Sequence, residues 1–362
     1  MSTTMLAVGT VKGLFLGTSE DGGAWRWEGP AFSMTRVAAV AFDTRHQPPR
    51  ILVGGGHEHW GPVIAHSDDL GASWVEGDEA ALRFPEDTGV AVERVWQLAP
   101  GPADRPGEVW AGVEPAALFR SDDEGKTFSL VTGLWDHPHR PSWQPGAGGM
   151  CLHTVLPHPD DASQVLVAIS AAGVYRSQDG GQSWAPSNAG IEVTFMPEKL
   201  PEFGQCVHKV ARDCADPDRL ILQNHGGVFR SSDGGASWER SETGLPANFG
   251  FGLTAHPSRS GTAFLFPLIA DMNRMPPDGM ARVYRTDDYG ATWTSASHGL
   301  PREGFYSVVL RDGLTTDGDD PLGVYFGTRS GGVFASRDEA ASWEEVAAHL
   351  PEVLCVRAAV VS

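Results

Sequence analysis

Cysteine is scarce in this sequence, with 4 in 362 residues, too few for a disulfide framework. Long apolar runs are missing as well: no stretch approaches the roughly 20 residues of a membrane span, and Met1 to Gly9 lacks the basic region and apolar core of a secretory signal. A cytoplasmic protein with free thiols is the expectation. Positive charge is in deficit, 27 Lys and Arg against 46 Asp and Glu, for a formal charge of -19. That balance excludes a nucleic acid or an anionic membrane as partner, because phosphate binding needs a positive surface. Without long acidic runs it reads as a solubilising surface. Disorder is excluded too, since 41% hydrophobic and 20% charged residues are ordinary for a globular chain able to bury a large core.

What the sequence does have is a repeat. Ser or Thr, any residue, Asp, any residue, Gly, two more residues and then an aromatic recur from Ser67, Ser121, Ser177, Ser231, Thr286 and Ser336, the last with Ala340 in the Gly place. A seventh copy keeps Ser19, Asp21 and Gly23 but carries its tryptophan, Trp27, one place late. Successive copies start 48, 54, 56, 54, 55 and 50 residues apart, the period of a four-stranded blade rather than of a helical repeat. Each copy follows a short apolar run such as Gly173–Ser177 (GVYRS) or Gly227–Ser231 (GVFRS), which reads as a β-strand. The copy itself is then a turn, with Ser and Asp bonding to backbone amides, Gly supplying positive φ, and the aromatic packed beneath.

These positions predict an all-β, seven-bladed β-propeller occupying 1–362 as one domain. The first repeat lacks an innermost strand, since Met5–Gly9 and Gly13–Gly17 match the second and third strands of the others. Val353–Val361 follows the last repeat with nothing after it to pair with, so it is expected to complete the first blade and close the ring.

The repeated motif resembles the Asp-box, or bacterial neuraminidase repeat, of sialidases, sortilin-type ectodomains and a photosystem assembly factor. The segments GVEPAALFRS, HPHRPSWQPGAGGMCLH and GQCVHK make the chain similar to bacterial WD40/YVTN/BNR-like repeat proteins, which are often labelled exo-α-sialidase or glycosyl hydrolase. The resemblance covers almost the whole chain. It implies the propeller and places the boxes on the face away from a site, but it implies no particular chemistry. The sialidase machinery is not matched: the Phe-Arg-Ile-Pro opening is missing, and of five tyrosines only Tyr306 falls at the channel mouth.

With the repeated turns on one face, the opposite face collects the unusual residues. Aligning the blades puts Arg36, Arg94, Cys151, Cys206, Phe249, Tyr306 and Cys355 at one ring position, and Ala38, Trp96, His153, His208, Phe251, Val308 and Arg357 two residues further on. Cys151 with His153 and Cys206 with His208 recur at the repeat period, and imidazole and thiolate are ligands for transition metals or the makings of an activated nucleophile. Loops from the same face add Glu114, His225, and His57 and His59. The long loop 134–146 adds His139, Arg140, Trp143 and Gln144 as a wall, and 268–280 reads as a lid.

The expected site is therefore a small-ligand pocket at the channel mouth. His153, His208 and His225 would hold a divalent transition metal (zinc, copper, iron or manganese), and Glu114, His153 and His208 would act as catalytic groups. Arg94, Trp96, His139, Arg140, Trp143, Gln144 and Arg357 would bind an anionic or sugar-like ligand, with Cys151 and Cys206 behind the metal. Two alternatives stand beside it: a glycoside hydrolase, sialidase-like in scaffold, working through Glu114 or Asp271, and a non-enzymatic interaction scaffold.

Overall fold

A computed structural model of the chain describes residues 2–57, 59, 61–78, 81–146, 148–269 and 273–361. The chain forms seven antiparallel four-stranded sheets. Blade two is Arg36–Asp43, Arg50–His57, Gly61–Ser67 and Val75–Glu76, and blade three is Arg94–Pro100, Val109–Glu114, Ala117–Ser121 and Ser129–Leu130. Blade four is Leu152–Pro157, Val165–Ile169, Gly173–Ser177 and Ala185–Pro186; blade five is Val207–Arg212, Leu220–Asn224, Gly227–Ser231 and Glu239–Arg240. Blade six is Phe249–Ala255, Ala263–Leu268, Tyr284–Thr286 and Thr294–Ser295, and blade seven is Leu314–Thr316, Val324–Gly327, Val333–Ser336 and Glu344–Ala347.

Blade one is assembled from both ends of the sequence. Val353–Val361 pairs with Thr3–Thr10, which continues through Gly13–Glu20 to Arg26–Ala31. The closing register runs from Thr3 opposite Val361 to Gly9 opposite Cys355. The first strand of each blade touches the first strand of the next, and Val353–Val361 touches both Leu314–Thr316 and Arg36–Asp43, so the inner strands form a ring about one axis. Among the described residues no helix is long and apolar enough to cross a membrane.

Between neighbouring blades lie the hydrophobic clusters. Ala99, Trp110 and Leu118 of blade three pack on Leu152, Val167 and Tyr175 of blade four. Leu166 and Val174 in turn meet Val210, Leu222 and Phe229 of blade five, and Leu6 and Val8 meet Tyr325 and Val333 across the closure. Strands buried on both faces explain why Val165–Ile169 and Ala263–Leu268 are apolar throughout.

The repeated turn is built as its residue types require. In blade five Asp233 accepts from the Ser237 amide (2.9 Å) and hydroxyl (2.6 Å), and the Ser231 hydroxyl oxygen accepts from the Gly235 amide (2.9 Å). The same bonds recur around Asp69, Asp123, Asp179, Asp288 and Asp338. Gly235 sits at φ 85°, where L side chains are strained. The aromatic that follows staples blades together: Trp238 Nε1 donates to Ser187 O (2.9 Å), Trp293 to Ser241 O (2.9 Å) and Trp343 to Ala296 O (2.7 Å). The divergent first copy uses Asp21 instead to accept from the Ser2 amide at 2.8 Å, yet displaced Trp27 still reaches blade seven at Val346 O, 2.9 Å away.

Blade seven departs from the alignment that placed Tyr306 and Val308 on its inner strand. Its ladder starts only at Leu314, because a turn closed by the Gly313 amide on Leu310 O (3.0 Å) interrupts the chain first. That turn carries Arg311 and Asp312 toward the channel.

Candidate functional site

The inner strands of blades one to six break register near their tops. The ladder skips Ala38, Trp96, His153 and His208 in blades two to five, and Phe251 with Gly252 in blade six. An unpaired residue in a bulge re-aims its side chain, so these positions form a ring of side chains turned out of the regular pleat. In blade one the skipped residue is Leu354, three places before Arg357.

Above this ring lies a cavity of about 1220 Å³, lined among others by Arg36, Arg94, Trp96, Gln144, Cys206, His208, His225, Phe251, Arg274, Arg311 and Asp312. Its wall on the blade-four side is the segment holding Phe195, Met196, Glu198, Glu202 and Phe203. Phe195 and Met196 stay 52% and 36% exposed, an apolar rim a ligand would cover.

Arg311 is the unusual group. Only 8% of it is exposed, and its guanidinium lies 5.6 Å from the centroid of Trp96 and 5.4 Å from that of Phe251. Among the described residues no carboxylate pairs with it, and its Nε is buried without a hydrogen-bond partner. A buried cation held only by ring faces keeps its strongest interaction for an incoming anion. Arg94 lies 5.2 Å from the same Trp96 ring centroid. Trp96 Nε1 donates to Glu114 Oε2 (2.9 Å), and Arg94 Nη1 is 3.9 Å from that oxygen. The chain must give way to Glu114: a Cβ on Gly149, at φ 94°, would fall 1.9 Å from its Oε1.

Asp312 is committed. Burial works to raise its carboxyl, but Lys209 (Nζ to Oδ1 2.8 Å) and Arg357 outweigh this and hold it well below the ordinary carboxylate range. Lys209 is pushed down by burial in spite of that partner, while Asp312 raises Arg357 against the desolvation that would lower it.

His153 and His208 are both buried, and burial followed by the Arg311 charge holds each well below the usual histidine range. Their roles differ. His153 Nε2 faces Val207 O (2.9 Å) and must donate, while its Nδ1 faces the Thr154 hydroxyl (3.0 Å), so no lone pair is left over. His208 Nδ1 donates to Gly250 O (2.6 Å), leaving Nε2 toward Cys206 Sγ at 3.6 Å. The His225 ring lies 5.9 Å from that of His208, and one ligand atom from each of Cys206, His208 and His225 falls within 4.8 Å of the others. Burial raises the Cys151 thiol to about 11 and also raises Cys206. All four cysteines are free.

No family model matches the chain. Xyloglucanase Xgh74A of Acetivibrio thermocellus is 24% identical over 267 residues, covering 65% of this chain and 30% of its own length. The chain is similar to xyloglucanases. Among solved structures, an ancestral GH74 enzyme superposes with a TM-score of 0.54 at 18% identity, over 83% of this chain and 36% of its own. The periplasmic gluconolactonase of Pseudomonas aeruginosa reaches 0.58 at 12% identity, over 99% of both chains. These likenesses show the fold, and the chain spans less than a third of the length of Xgh74A.

Glu114, expected with His153, His208 and His225, stands instead against Arg94 and Trp96, and Arg94, Trp96, Gln144, His208 and His225 line the cavity. Asp271, with Glu58 and Trp60 of the loop carrying His57 and His59, lies outside the described residues. The remaining expectations need correcting. His153 is spent on structural hydrogen bonds, so Cys206 takes its place beside His208 and His225. Trp143 is buried in the blade-four core with Nε1 on the Tyr175 hydroxyl (2.9 Å). His139 stacks on Phe203 (4.2 Å) and Arg140 covers Trp135 (3.3 Å), so these two brace the loop. Arg357 is held by Asp312. Tyr306, 64% exposed, lies against Gly279. Missed altogether were Arg311, Arg274, and Glu198 and Glu202. Arg311 lies in the turn that precedes the Leu314–Thr316 strand, so no repeat position points to it; the apolar-acidic run from Phe195 to Phe203 is the legible clue to the rim.

Proposed function

We propose that this propeller acts on carbohydrate as a glycoside hydrolase and accepts an acidic sugar unit at the channel mouth. The similarity to xyloglucanases supports the carbohydrate class, and the observation that carries the acidic unit is Arg311, buried between Trp96 and Phe251 without a carboxylate of its own. In this reading Arg311 and Arg94 receive the sugar carboxylate, and Phe195 and Met196 cover the ring's apolar face. Glu114, fixed by the Trp96 N–H, serves as the nucleophile or base of a carboxylate pair, with its partner supplied from Glu198 or Glu202 on the facing segment.

The test compares binding of neutral gluco- and xylo-oligosaccharides with uronic-acid oligosaccharides by calorimetry, alongside release of the chromophore from aryl glycosides and aryl uronides. The acidic series is expected to bind at least tenfold more tightly, with Arg311→Met removing the difference, as loss of one charge-assisted hydrogen bond of about 1.5–3 kcal/mol implies. Glu114→Gln should abolish turnover and leave binding within a few-fold. Saccharide binding without turnover would overturn the hydrolase and keep the carbohydrate site; no binding of either series at millimolar concentration would overturn both.

A further inference from the structure

A second feature of the cavity is independent of the sugar reading. Cys206 and His208 flank a broken register at the top of blade five, and His225 ends the hairpin beside them, so three donors of different softness converge on one wall. The tautomer of His208 follows from its surroundings. Gly250 O can only accept, so Nδ1 carries a proton and Nε2 is turned toward Cys206 Sγ on the cavity side. This is how a metal-binding imidazole is ordinarily oriented, with its second nitrogen tied to a backbone carbonyl.

The spacing agrees. Zinc bonds of about 2.3 Å to sulfur and 2.0–2.1 Å to nitrogen, at a tetrahedral angle, put the two ligand atoms about 3.6 Å apart. Cys206 Sγ and His208 Nε2 are 3.6 Å apart. All three ligand atoms lie within 4.8 Å, a span that small rotations of the Cys206 and His225 side chains can close. His153, with both nitrogens engaged, is excluded as a ligand.

We propose that Cys206, His208 and His225 bind one zinc ion, with the fourth position open to the cavity. Three protein ligands and an open position are the pattern of a reactive rather than a purely structural zinc site, and a thiolate with two imidazoles selects zinc over the harder manganese. As the sulfur–zinc bond forms, the thiol proton leaves to solvent.

The experiment uses the full chain without a histidine tag, stripped with chelator and dialysed against zinc or cobalt(II), with bound metal counted by plasma mass spectrometry. The expected result is one equivalent per chain, and with cobalt the visible bands of a tetrahedral ion plus a thiolate-to-metal charge-transfer band. Cys206→Ser should remove the charge-transfer band and weaken uptake at least tenfold. His225→Gln should weaken it by a similar factor, and Cys214→Ser, which alters the exposed thiol, should change neither. A circular dichroism spectrum and melting curve for each metal-free variant separate loss of ligand from loss of fold. No uptake by the parent chain, or a charge-transfer band that survives Cys206→Ser, would overturn the proposal. Neither outcome bears on saccharide binding, which is measured without added metal.

Discussion

His153 and His208 are two imidazoles that the fold keeps without charge. In the unfolded chain each takes a proton near pH 6.5, so below that pH the unfolded state binds more protons and stability falls as pH is lowered from about 7 toward 5. The limiting slope is about 1.4 kcal/mol per pH unit for each ring. Urea melts at stepped pH should show this decline, and His153→Gln should roughly halve it; a level profile would contradict two buried neutral rings. Asp312 acts in a lower window, since a depressed carboxyl loses its contribution only as pH falls below its unfolded value near 4. Gly149 offers a second test. With no room for a Cβ beside Glu114 and a left-handed backbone at φ 94°, Gly149→Ala should displace that carboxylate, reduce saccharide turnover by at least tenfold and cost about 1–2 kcal/mol in stability. Residue identity made Arg94, Trp96, Glu114, His208 and His225 legible as site candidates, because each stood at a repeat position or in a loop facing the channel. His153 matches His208 in sequence position but not in surroundings, because its Nε2 meets Val207 O of the neighbouring blade and its Nδ1 the Thr154 hydroxyl next to it in the chain.

Among the elements, the repeated turn was the most legible, since Ser231, Asp233 and Gly235 encode it within five residues and need no distant partner. The tryptophan that follows carries the load between blades. Trp293 is 2% exposed and bonded to blade five, so Trp293→Ala should cost about 3–5 kcal/mol in chemical denaturation. Gly235→Ala should cost about 1–2 kcal/mol, because its left-handed backbone and the Leu166 and Trp238 contacts leave little room for a methyl group. Blade seven was less legible. Nothing between Tyr306 and Thr316 signals that the strand must wait for a turn at 310–313, because Asp312 makes its defining contacts with Lys209 and Arg357, each far away in sequence.

For the whole molecule, the count of blades and the joining of both ends in one sheet followed from periodicity, because a ring of sheets needs each interface to repeat. The cavity did not follow, since its volume depends on how far the 191–205 segment folds over the mouth. Removing Val353–Val361 should expose the edge of Thr3–Thr10 and unpack Val356 and Cys355 from the core. Light scattering and gel filtration are expected to show association or aggregation in place of the parent species, with loss of a cooperative melt; an unchanged elution and melting curve would refute the closure.

That strand also sets an order of events during synthesis. Thr3–Thr10 is made well before Val353–Val361, so at roughly 5–20 residues per second it waits on the order of half a minute for its mate. Throughout that interval it offers one open row of amides and carbonyls to any extended peptide nearby. A newly made chain is therefore most vulnerable to mispairing along Thr3–Thr10, and the arrival of Val353–Val361 is the moment at which that hazard ends.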